Sequence, residues 1–508
     1  MEKSRFKEAL LERKEFICTL ELVPGRGSRG KTQDDILKIA ERVAKSQLVH
    51  AVSITDNPGG HPALSPNVIG FEISGLGIDP IVHFTGKDKN RNQIESTLYF
   101  LDRIGISNLL VMTGDFPLYG FEGKAKPVFD FDSIQLIHFI HQLNQGLDLD
   151  GKAPGGGVRL PPTHFFKGCT ISPFKRYESE VMSQYYKLFK KVNEGADFLI
   201  TQVGFDARKF DELLRYVRHH AIGIPLLGNV YILNRAVAKI MNQGGVPGCV
   251  VTDELYRTIE EEAKGPDKGK TARLTRAAKL IAILKGMGYN GVHIGGPNLS
   301  YEDVEWIIGK SKEFFSSWEE WVREFTFPQK NGFYLFEKDK KTGLNTDAFA
   351  RKQSKPLKQI GHGIMRFFHR LAFTSDAPLF EPAQWFFKKI DGGRLEGPAT
   401  ELEYWIKFIS SRCRRCGDCT LQEVAFLCPQ SQCPKYLFNG QCGGSMEGWC
   451  EVFPGKKKCI YVRAYQRLKS YGEEESLKEG YTLPRNWALD QTSSWANYFL
   501  GRDHHARK

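Results

Sequence analysis

Residues 109–115 read LLVMTGD, an apolar run followed at once by the polar residues Thr113, Gly114 and Asp115. A short apolar run without alternation is typical of a strand that is buried on both faces of a parallel sheet. Similar runs recur from residue 16 to residue 310, separated by stretches with helical spacing. The eight predicted strands are Phe16–Leu22, Ala51–Thr55, Pro80–Phe84, Leu109–Met112, Phe165–Cys169, Phe198–Gln202, Ile224–Gly228 and Gly291–Ile294. Eight strand–helix units predict a (β/α)8 TIM barrel, and the absence of G-x-G-x-x-G after the first strand argues against a Rossmann fold.

The chain has 508 residues, which is too long for one ordinary core, and its composition is that of a soluble globular protein. Its first twenty residues contain no apolar h-region, and no stretch approaches 18 uninterrupted apolar residues. We therefore expect no secretory signal, no membrane span and a cytoplasmic location. The net charge of +12 is spread along the chain among acidic residues. Such a diffuse excess could equally serve anionic small ligands, so we expect no nucleic-acid partner.

The character of the sequence changes near residue 330. Residues 337–359, EKDKKTGLNTDAFARKQSKPLKQ, are charged and have almost no apolar periodicity, which is typical of a linker or a wrapping arm. Eight of the 11 cysteines then fall between Cys413 and Cys459. We predict a barrel in residues 1–325, a linker or wrapping segment in 326–400 and a smaller cysteine-rich, metal- or iron–sulfur-binding domain in 401–508.

The cysteine spacing C-x2-C-x2-C-x8-C-x4-C-x8-C-x7-C-x8-C contains no histidine, which excludes a mixed Cys/His zinc finger. A C-x2-C-x2-C triad is typical of three thiolates around one iron–sulfur cubane. Eight ligands suffice for two [4Fe–4S] clusters, for one cluster and one zinc site, or for two zinc sites that only fold the domain. The remaining cysteines, Cys18, Cys169 and Cys249, are predicted to be small buried hydrophobic residues. The predicted metal ligands are Cys413, Cys416, Cys419, Cys428, Cys433, Cys442, Cys450 and Cys459.

Chemistry in a TIM barrel takes place at the C-terminal ends of the strands. Glu21 lies there between Leu20 and Leu22, and a carboxyl in apolar surroundings should have a raised pKa and hold a proton near neutrality. Any one such residue is more often a cap or a loop anchor, and a lone histidine more often belongs to the core. An active site is favoured here because polar residues occur at the C-terminal ends of several strands. The other polar strand-end residues are Thr55, Asp56, His83, Thr85, Thr113, Asp115, Thr201 and Gln202.

Four of these strand ends resemble, in order, motifs of the methylenetetrahydrofolate reductase family: TLELVPG (19–25), VHFTGKD (82–88), VMTGDFP (111–117) and GADFLITQ (195–202). The resemblance covers roughly residues 10–310. It implies a flavin cofactor, FAD or FMN, and a folate substrate. The implied reaction is reduction of 5,10-methylenetetrahydrofolate to 5-methyltetrahydrofolate by ping-pong hydride transfer through flavin N5.

The resemblance also implies roles for single residues. Glu21 would be the general acid that protonates folate N10 during ring opening, and Asp115 would bind folate and modulate the flavin. Gln202 would hydrogen-bond the pterin or the nicotinamide, and Lys191 would reach the flavin phosphate. The ring and ribityl chain of the flavin would be bordered by Thr55, His83, Met112, Thr113 and Gly114.

Some positions depart from the family pattern. Thr113 stands where better-known bacterial members carry arginine, which removes one cationic contact to the cofactor. Tyr231, Val237 and Met241 replace the proline, glutamine and phenylalanine expected around the helix after the seventh strand. That helix helps to bind nicotinamide and folate in the family, so NAD(P)H is an open question as the electron donor.

Residues 330–490 resemble the partner protein of reductases from anaerobic bacteria that have the one-carbon acetyl-CoA pathway. This implies a module that receives electrons from a ferredoxin-type donor and packs near the strand-end face of the barrel. We expect an oligomer or a member of an electron-transfer complex. Two alternatives stay open: a folate-barrel methyltransferase with a cluster-containing activator domain, and a zinc-knuckle nucleic-acid-binding protein.

Overall fold

The structure of the protein is a computed structural model that describes residues 4–149, 157–351 and 354–507. Residues 1–3 and 150–156 of the predicted barrel lie outside the described residues, as do residues 352–353 of the predicted linker and residue 508. Within the described ranges, no helix is both long enough and apolar enough to cross a membrane.

Eight parallel strands close into a barrel in which each strand pairs with the next and the last pairs with the first. All eight predicted strands are present, so the predicted TIM barrel is confirmed. The seventh begins two residues later than predicted, directly after Pro225, which has no N–H to give to the ladder. The strands are β1 (Ile17–Leu22), β2 (Ala51–Ile54), β3 (Asp79–Thr85), β4 (Asn108–Met112), β5 (Phe166–Ile171), β6 (Phe198–Thr201), β7 (Leu226–Tyr231) and β8 (Gly291–Gly295).

Helices surround the barrel, and the first of them, α1 (Arg5–Leu11), closes its N-terminal end. Phe6 and Leu10 of α1 pack against the apolar side chains that line the bottom of the barrel, among them Ile17 and Phe198. The other barrel helices are α2 (Lys31–Ser46), α3 (Pro66–Ser74), α4 (Arg91–Arg103), α5 (Ser133–Gln145), α6 (Glu178–Asn193), α7 (Ala207–His219), α8 (Arg235–Asn242), α9 (Asp253–Glu262), α10 (Lys270–Met287), α11 (Tyr301–Glu313) and α12 (Trp318–Trp321).

The segment predicted as a linker or wrapping arm has secondary structure of its own. A hairpin of β9 (Phe336–Lys338) and β10 (Asn345–Phe349) packs on α7, where Arg208 Nη2 donates to the Phe336 carbonyl over 2.8 Å. Two helices follow, α13 (Ile360–Ala372) and α14 (Phe380–Ile390). The next helix, α15 (Glu396–Ser411), runs across residue 400, where the predicted cysteine-rich domain begins.

The cysteine-rich region packs on the strand-end face of the barrel, as the sequence predicted. It contains α16 (Pro429–Gln432), α17 (Ile460–Lys469) and α18 (Ser494–Phe499). Lys435 Nζ donates to the Gly114 carbonyl after β4 over 2.7 Å, and Ser445 Oγ donates to Glu180 at the start of α6 over 2.8 Å. The backbone N–H of Asn439 donates to Asp132, the N-cap of α5, over 2.9 Å. The region therefore covers the loops after β4 and β5.

Candidate active site and cysteine sites

The inward-facing side chains near the C-terminal ends of the strands are polar, in contrast to those near α1. Ser53 Oγ of β2 lies 2.6 Å from His83 Nε2 of β3, and Thr19 Oγ1 of β1 lies 2.8 Å from His293 Nδ1 of β8. His293 Nε2 in turn lies 3.5 Å from Glu21 Oε2 of β1. The upper barrel therefore holds one carboxylate and two buried histidines around a common axis.

Hydrogen bonding indicates which nitrogen of His293 carries the ring proton. The Thr19 hydroxyl donates to the Val292 carbonyl over 3.3 Å, so it accepts from His293 Nδ1. This assignment, inferred from the network, leaves Nε2 turned toward Glu21. A proton between the two groups can then lie on the carboxyl or on the imidazole. Glu21 and His293 form a carboxylate–imidazole pair inside the barrel.

The predicted raised pKa of Glu21 is wrong. Burial alone would raise it, but the hydrogen bond and charge of His293, with a smaller contribution from His83, bring the pKa of Glu21 below its usual value. Successive residues of a strand point to opposite faces. The apolar neighbours Leu20 and Leu22 therefore face away from the barrel axis, and the side chain of Glu21 meets histidines.

Burial lowers the pKa of His83 to about 4, so its imidazole is neutral at pH 7. As the pH falls below the usual pKa of 6.5, the unfolded state takes up a proton on His83 while the folded state does not. With respect to this group, the folded protein is therefore most stable above pH 6.5 and loses stability as the pH falls toward 4. A neutral ring in contact with Ser53 suits a wall position better than acid catalysis.

We expect the His83→Asn variant to lose less stability on acidification than the unaltered protein. Between pH 7 and pH 5 the unaltered protein should lose about 2 kcal/mol more than the variant, because only its unfolded state takes up the His83 proton. Urea denaturation at the two pH values measures this difference. The His219→Asn variant, at the end of α7, serves as the control. If the unaltered protein and His83→Asn lose the same free energy of unfolding between pH 7 and pH 5, the pKa of His83 is not lowered by folding.

The TGD turn after β4 is closely packed. Gly114 has φ +87°, and a Cβ there would lie 2.9 Å from Lys87 Cδ, so the position requires glycine. Asp115 is exposed, and its Oδ2 accepts a hydrogen bond from the Gly59 N–H over 2.8 Å. Asp115 thus joins the loops after β2 and β4 at the rim, while Thr113 is buried.

Two other predicted residues already have partners within the protein. Gln202 Oε1 accepts a hydrogen bond from the Val203 N–H over 2.9 Å. Lys191 is buried on α6, and its ammonium donates to the Thr170 carbonyl of β5. It would have to leave that carbonyl to meet a phosphate, so the phosphate role of Lys191 stays a prediction.

Three buried polar atoms at the upper barrel have no hydrogen-bond partner among the described residues. They are Thr55 Oγ1 after β2, Ser172 Oγ after β5 and Asn229 Oδ1 of β7. Buried polar atoms in folded proteins are almost always satisfied, by protein, water or ligand. The barrel mouth therefore fits a polar ligand, such as a flavin or a pterin, that supplies the missing partners.

Three residues of the site, His293, Asn229 and Lys435, were not predicted from the sequence. A signal for His293 was present, because it stands two residues before the end of its strand, as His83 does. Lys435 carried no such signal, since only the packing of the cysteine-rich region brings it to Gly114.

The eight predicted ligands form two separate groups of four. The first cavity, tetrad 1, is lined by Cys413, Cys416, Cys419 and Cys428, and the second, tetrad 2, by Cys433, Cys442, Cys450 and Cys459. The four-residue helix α16 connects Cys428 to Cys433, and four residues of α-helix span only about 6 Å. The two tetrads are therefore neighbours. The remaining cysteines, Cys18, Cys169 and Cys249, are buried in the barrel as predicted.

The cysteine sulfurs are spaced more widely than in a zinc site. Four sulfurs about 2.3 Å from one zinc ion would lie about 3.8 Å from each other. Among the described residues, which include all eight of these cysteines, no three cysteine sulfurs lie within 4.8 Å of one another. A cubane spaces its ligands further apart, because iron and sulfide atoms stand between the thiolates. The four cysteine side chains at each cavity fit metal binding.

Each tetrad has a buried lysine beside it. Lys407 of α15 lies 3.1 Å from Cys419 Sγ and 3.3 Å from Glu403. Burial would lower the pKa of Lys407, but the Cys419 sulfur and Glu403 raise it above its usual value, so the side chain stays charged. Lys435 at tetrad 2 pairs with Glu451, which raises its pKa against the effect of burial. These cations suit cavities that hold several thiolates.

Comparisons with known proteins agree with the barrel and with the C-terminal region. The family model described as "Methylenetetrahydrofolate reductase" matches residues 5–307, which is more than half of the 508 residues. A second model, "Methylene-tetrahydrofolate reductase C terminal", matches residues 394–488.

Two curated relatives are similar to the barrel region. The chain is 24% identical over 262 residues to "Probable methylenetetrahydrofolate reductase (NADPH)" of Caenorhabditis elegans. The aligned region is 48% of this chain and 35% of that protein. It is 26% identical over 197 residues to "Methylenetetrahydrofolate reductase 2" of Schizosaccharomyces pombe, covering 37% of this chain and 28% of that protein. The chain thus spans about a third of the length of these relatives.

A solved structure described as "Uncharacterized protein from Clostridium thermocellum binds two copies of 5-methyl-5,6,7,8-tetrahydrofolic acid" is 12% identical, with a TM-score of 0.41. The matched region is 62% of this chain and 99% of the chain in the solved structure. The extent of the barrel match, on a confirmed TIM barrel with the predicted strand-end motifs, settles the family. This chain belongs to the methylenetetrahydrofolate reductase family.

Proposed function

We propose that this protein reduces 5,10-methylenetetrahydrofolate to 5-methyltetrahydrofolate with a bound flavin, and that it receives electrons through iron–sulfur clusters held by tetrads 1 and 2. The observation that carries the reaction is the Glu21–His293 pair, at 3.5 Å, inside a barrel of this family. Ring opening of the folate needs a proton at N10, and the pair stores one where a pterin would bind.

Glu21 is the proton donor in this proposal, and His293 is its positioning and proton-storing partner. Because the proton can rest on the His293 imidazole, Glu21 can deliver it without a raised pKa of its own. Thr19 holds the His293 ring through Nδ1, which keeps Nε2 directed at the Glu21 carboxyl. The barrel wall keeps water from His293, which is almost fully buried, while the Glu21 side chain stays 22% exposed.

The flavin would be held by Thr55, His83, Met112, Thr113 and Gly114 at the ends of β2, β3 and β4. Thr55 supports this placement, because its hydroxyl lacks a partner within the described part of the chain. The Gly114 backbone, which accepts a hydrogen bond from Lys435 and lies beside the Lys87 side chain, offers an edge to a planar ring. Asp115 and Gln202 would contact the folate at the rim. A flavin bound there supplies the hydride that this reduction requires.

Electron supply through the tetrads rests on where tetrad 2 lies. Lys435 is two residues from Cys433, and its ammonium donates to the Gly114 carbonyl over 2.7 Å. Tetrad 2 therefore adjoins the turn that would hold the flavin, and tetrad 1 adjoins tetrad 2. Clusters in these cavities supply one-electron transfer. A ferredoxin-type protein is the donor this arrangement favours, and Tyr231, Val237 and Met241, where the family carries other residues, agree with a reduced role for NAD(P)H.

We expect the anaerobically purified protein to contain one flavin and about eight iron atoms per chain, the content of two [4Fe–4S] clusters. Flavin, iron and zinc analysis with an ultraviolet–visible spectrum measures this. The Cys413→Ser variant should lose about half of the iron, because it breaks tetrad 1 alone. The Cys18→Ser variant, outside both tetrads, controls for the substitution. Zinc in place of iron, or no flavin even after reconstitution, would rule out the corresponding part of the proposal.

A further inference from the structure

Two adjacent histidines, His504 and His505, converge on the Glu423 carboxylate, and none of the three lines a cysteine cavity. His505 Nε2 lies 2.7 Å and His504 Nε2 3.3 Å from Glu423 Oε1. The two ring centroids are 3.9 Å apart, and His504 is almost fully buried. The Gln422 amide also contacts His505 Nε2 and closes one side of the group. The three ligand atoms all lie within 4.8 Å of one another.

A second carboxylate stands behind each histidine. His504 Nδ1 lies 2.6 Å from Asp418 Oδ1, and His505 Nδ1 lies 2.8 Å from Asp503 Oδ2. A carboxylate at the far nitrogen orients the ring and makes the near nitrogen a better ligand, which is the usual arrangement at metal-binding histidines. Because a carboxylate holds each ring at Nδ1, both rings turn Nε2 toward Glu423, and two imidazole nitrogens and one carboxylate converge on one point.

The dimensions of the group suit a zinc-class ion. Histidine nitrogens and carboxylate oxygens bind zinc at about 2.0–2.2 Å, which separates ligands in a tetrahedron by about 3.3 Å. The separations here, 3.3 Å and 2.7 Å, need only a small outward movement of His505, which is the more exposed of the two rings. The second oxygen of Glu423, Oε2, is buried and has no partner among the described residues, so it is free to join the coordination.

We propose that Glu423, His504 and His505 bind one divalent ion of the zinc class, with Asp418 and Asp503 as the orienting carboxylates. Asp418 lies between Cys416 and Cys419, so the ion would join the end of the chain to the loop of tetrad 1. Its role is structural: it holds that loop in the conformation that presents three thiolates to one cavity. Binding of this ion requires neither a particular metal in the tetrads nor the proposed reaction.

Zinc K-edge absorption spectroscopy of the zinc-dialysed full-length protein tests the site. A nitrogen and oxygen shell at about 2.0–2.1 Å is expected, and it differs from the sulfur shell at about 2.3 Å that zinc in a tetrad would give. The His505→Gln and Glu423→Gln variants, which keep the size of each side chain, should lose this shell and one zinc per chain. The paired change His219→Gln with His220→Gln is the matched control, because these adjacent histidines, with ring centroids 5.0 Å apart, lie outside the proposed site.

Thermal unfolding gives a second readout that does not depend on enzyme activity. Added Zn²⁺ should raise the Tm of the chelator-treated unaltered protein and of the control, and leave the Tm of His505→Gln unchanged, because only a folded site binds the ion. Zinc that shows only sulfur neighbours would overturn the proposal. So would an equal zinc content in Glu423→Gln, His505→Gln and the unaltered protein, or the absence of any zinc-dependent rise in Tm.

Discussion

The Glu21→Gln variant is expected to slow the folate half-reaction by about a hundredfold or more, while a donor dye reduces the flavin at a nearly unchanged rate. Glutamine keeps the shape of the side chain but cannot pass a proton from His293 to folate N10. Flavin reduction needs no proton at that atom, so the two half-reactions should separate. Anaerobic stopped-flow measurements of flavin reduction and of its reoxidation by methylenetetrahydrofolate give both rates.

Glu194 offers a matched control for Glu21. Its Oε2 lies 2.6 Å from His138 Nδ1, so it forms a second glutamate–histidine pair, at the end of α6 and outside the barrel mouth. The Glu194→Gln variant should leave both half-reactions unchanged. If Glu21→Gln slows the two half-reactions equally, Glu21 maintains the structure of the barrel and the proton-donor role is wrong.

The Cys450→Ala variant is expected to lose nearly all activity with a ferredoxin-type donor and yet to oxidise 5-methyltetrahydrofolate normally with an artificial acceptor. Cys450 belongs to tetrad 2, which lies nearest to Gly114, whereas the residues around Glu21 are untouched. Steady-state assays with each redox partner, together with iron and flavin content, measure the separation.

A point variant tests the relay more cleanly than truncation of the cysteine-rich region. That region pairs with Asp132, Glu180 and Lys187 on the barrel, and its removal would expose these buried groups. The Cys169→Ala variant, in β5 and outside both tetrads, is the matched control and should behave as the unaltered protein does. Full activity of Cys450→Ala with its protein donor would show that tetrad 2 only shapes the domain.

Local patterns determined the barrel. The eight apolar runs bury both faces of a parallel sheet, so their number and order could be predicted from residues near one another in the chain. The strand-end motifs followed, because every strand of such a barrel ends on the same face. The eight cysteines were equally visible, since the residue type and spacing that bind a metal are properties of a short segment.

Other features depended on contacts between distant residues, and only the tertiary structure decided them. The pKa of Glu21 is set by His293, which lies 272 positions further along the chain, and not by Leu20 and Leu22 beside it. The division of the cysteines into two tetrads depends on how the loops around α16 fold. The contact of Lys435 with Gly114 joins residues 321 positions apart. Electrostatic and hydrogen-bond environments depend on separations in space, which spacing along the chain does not give.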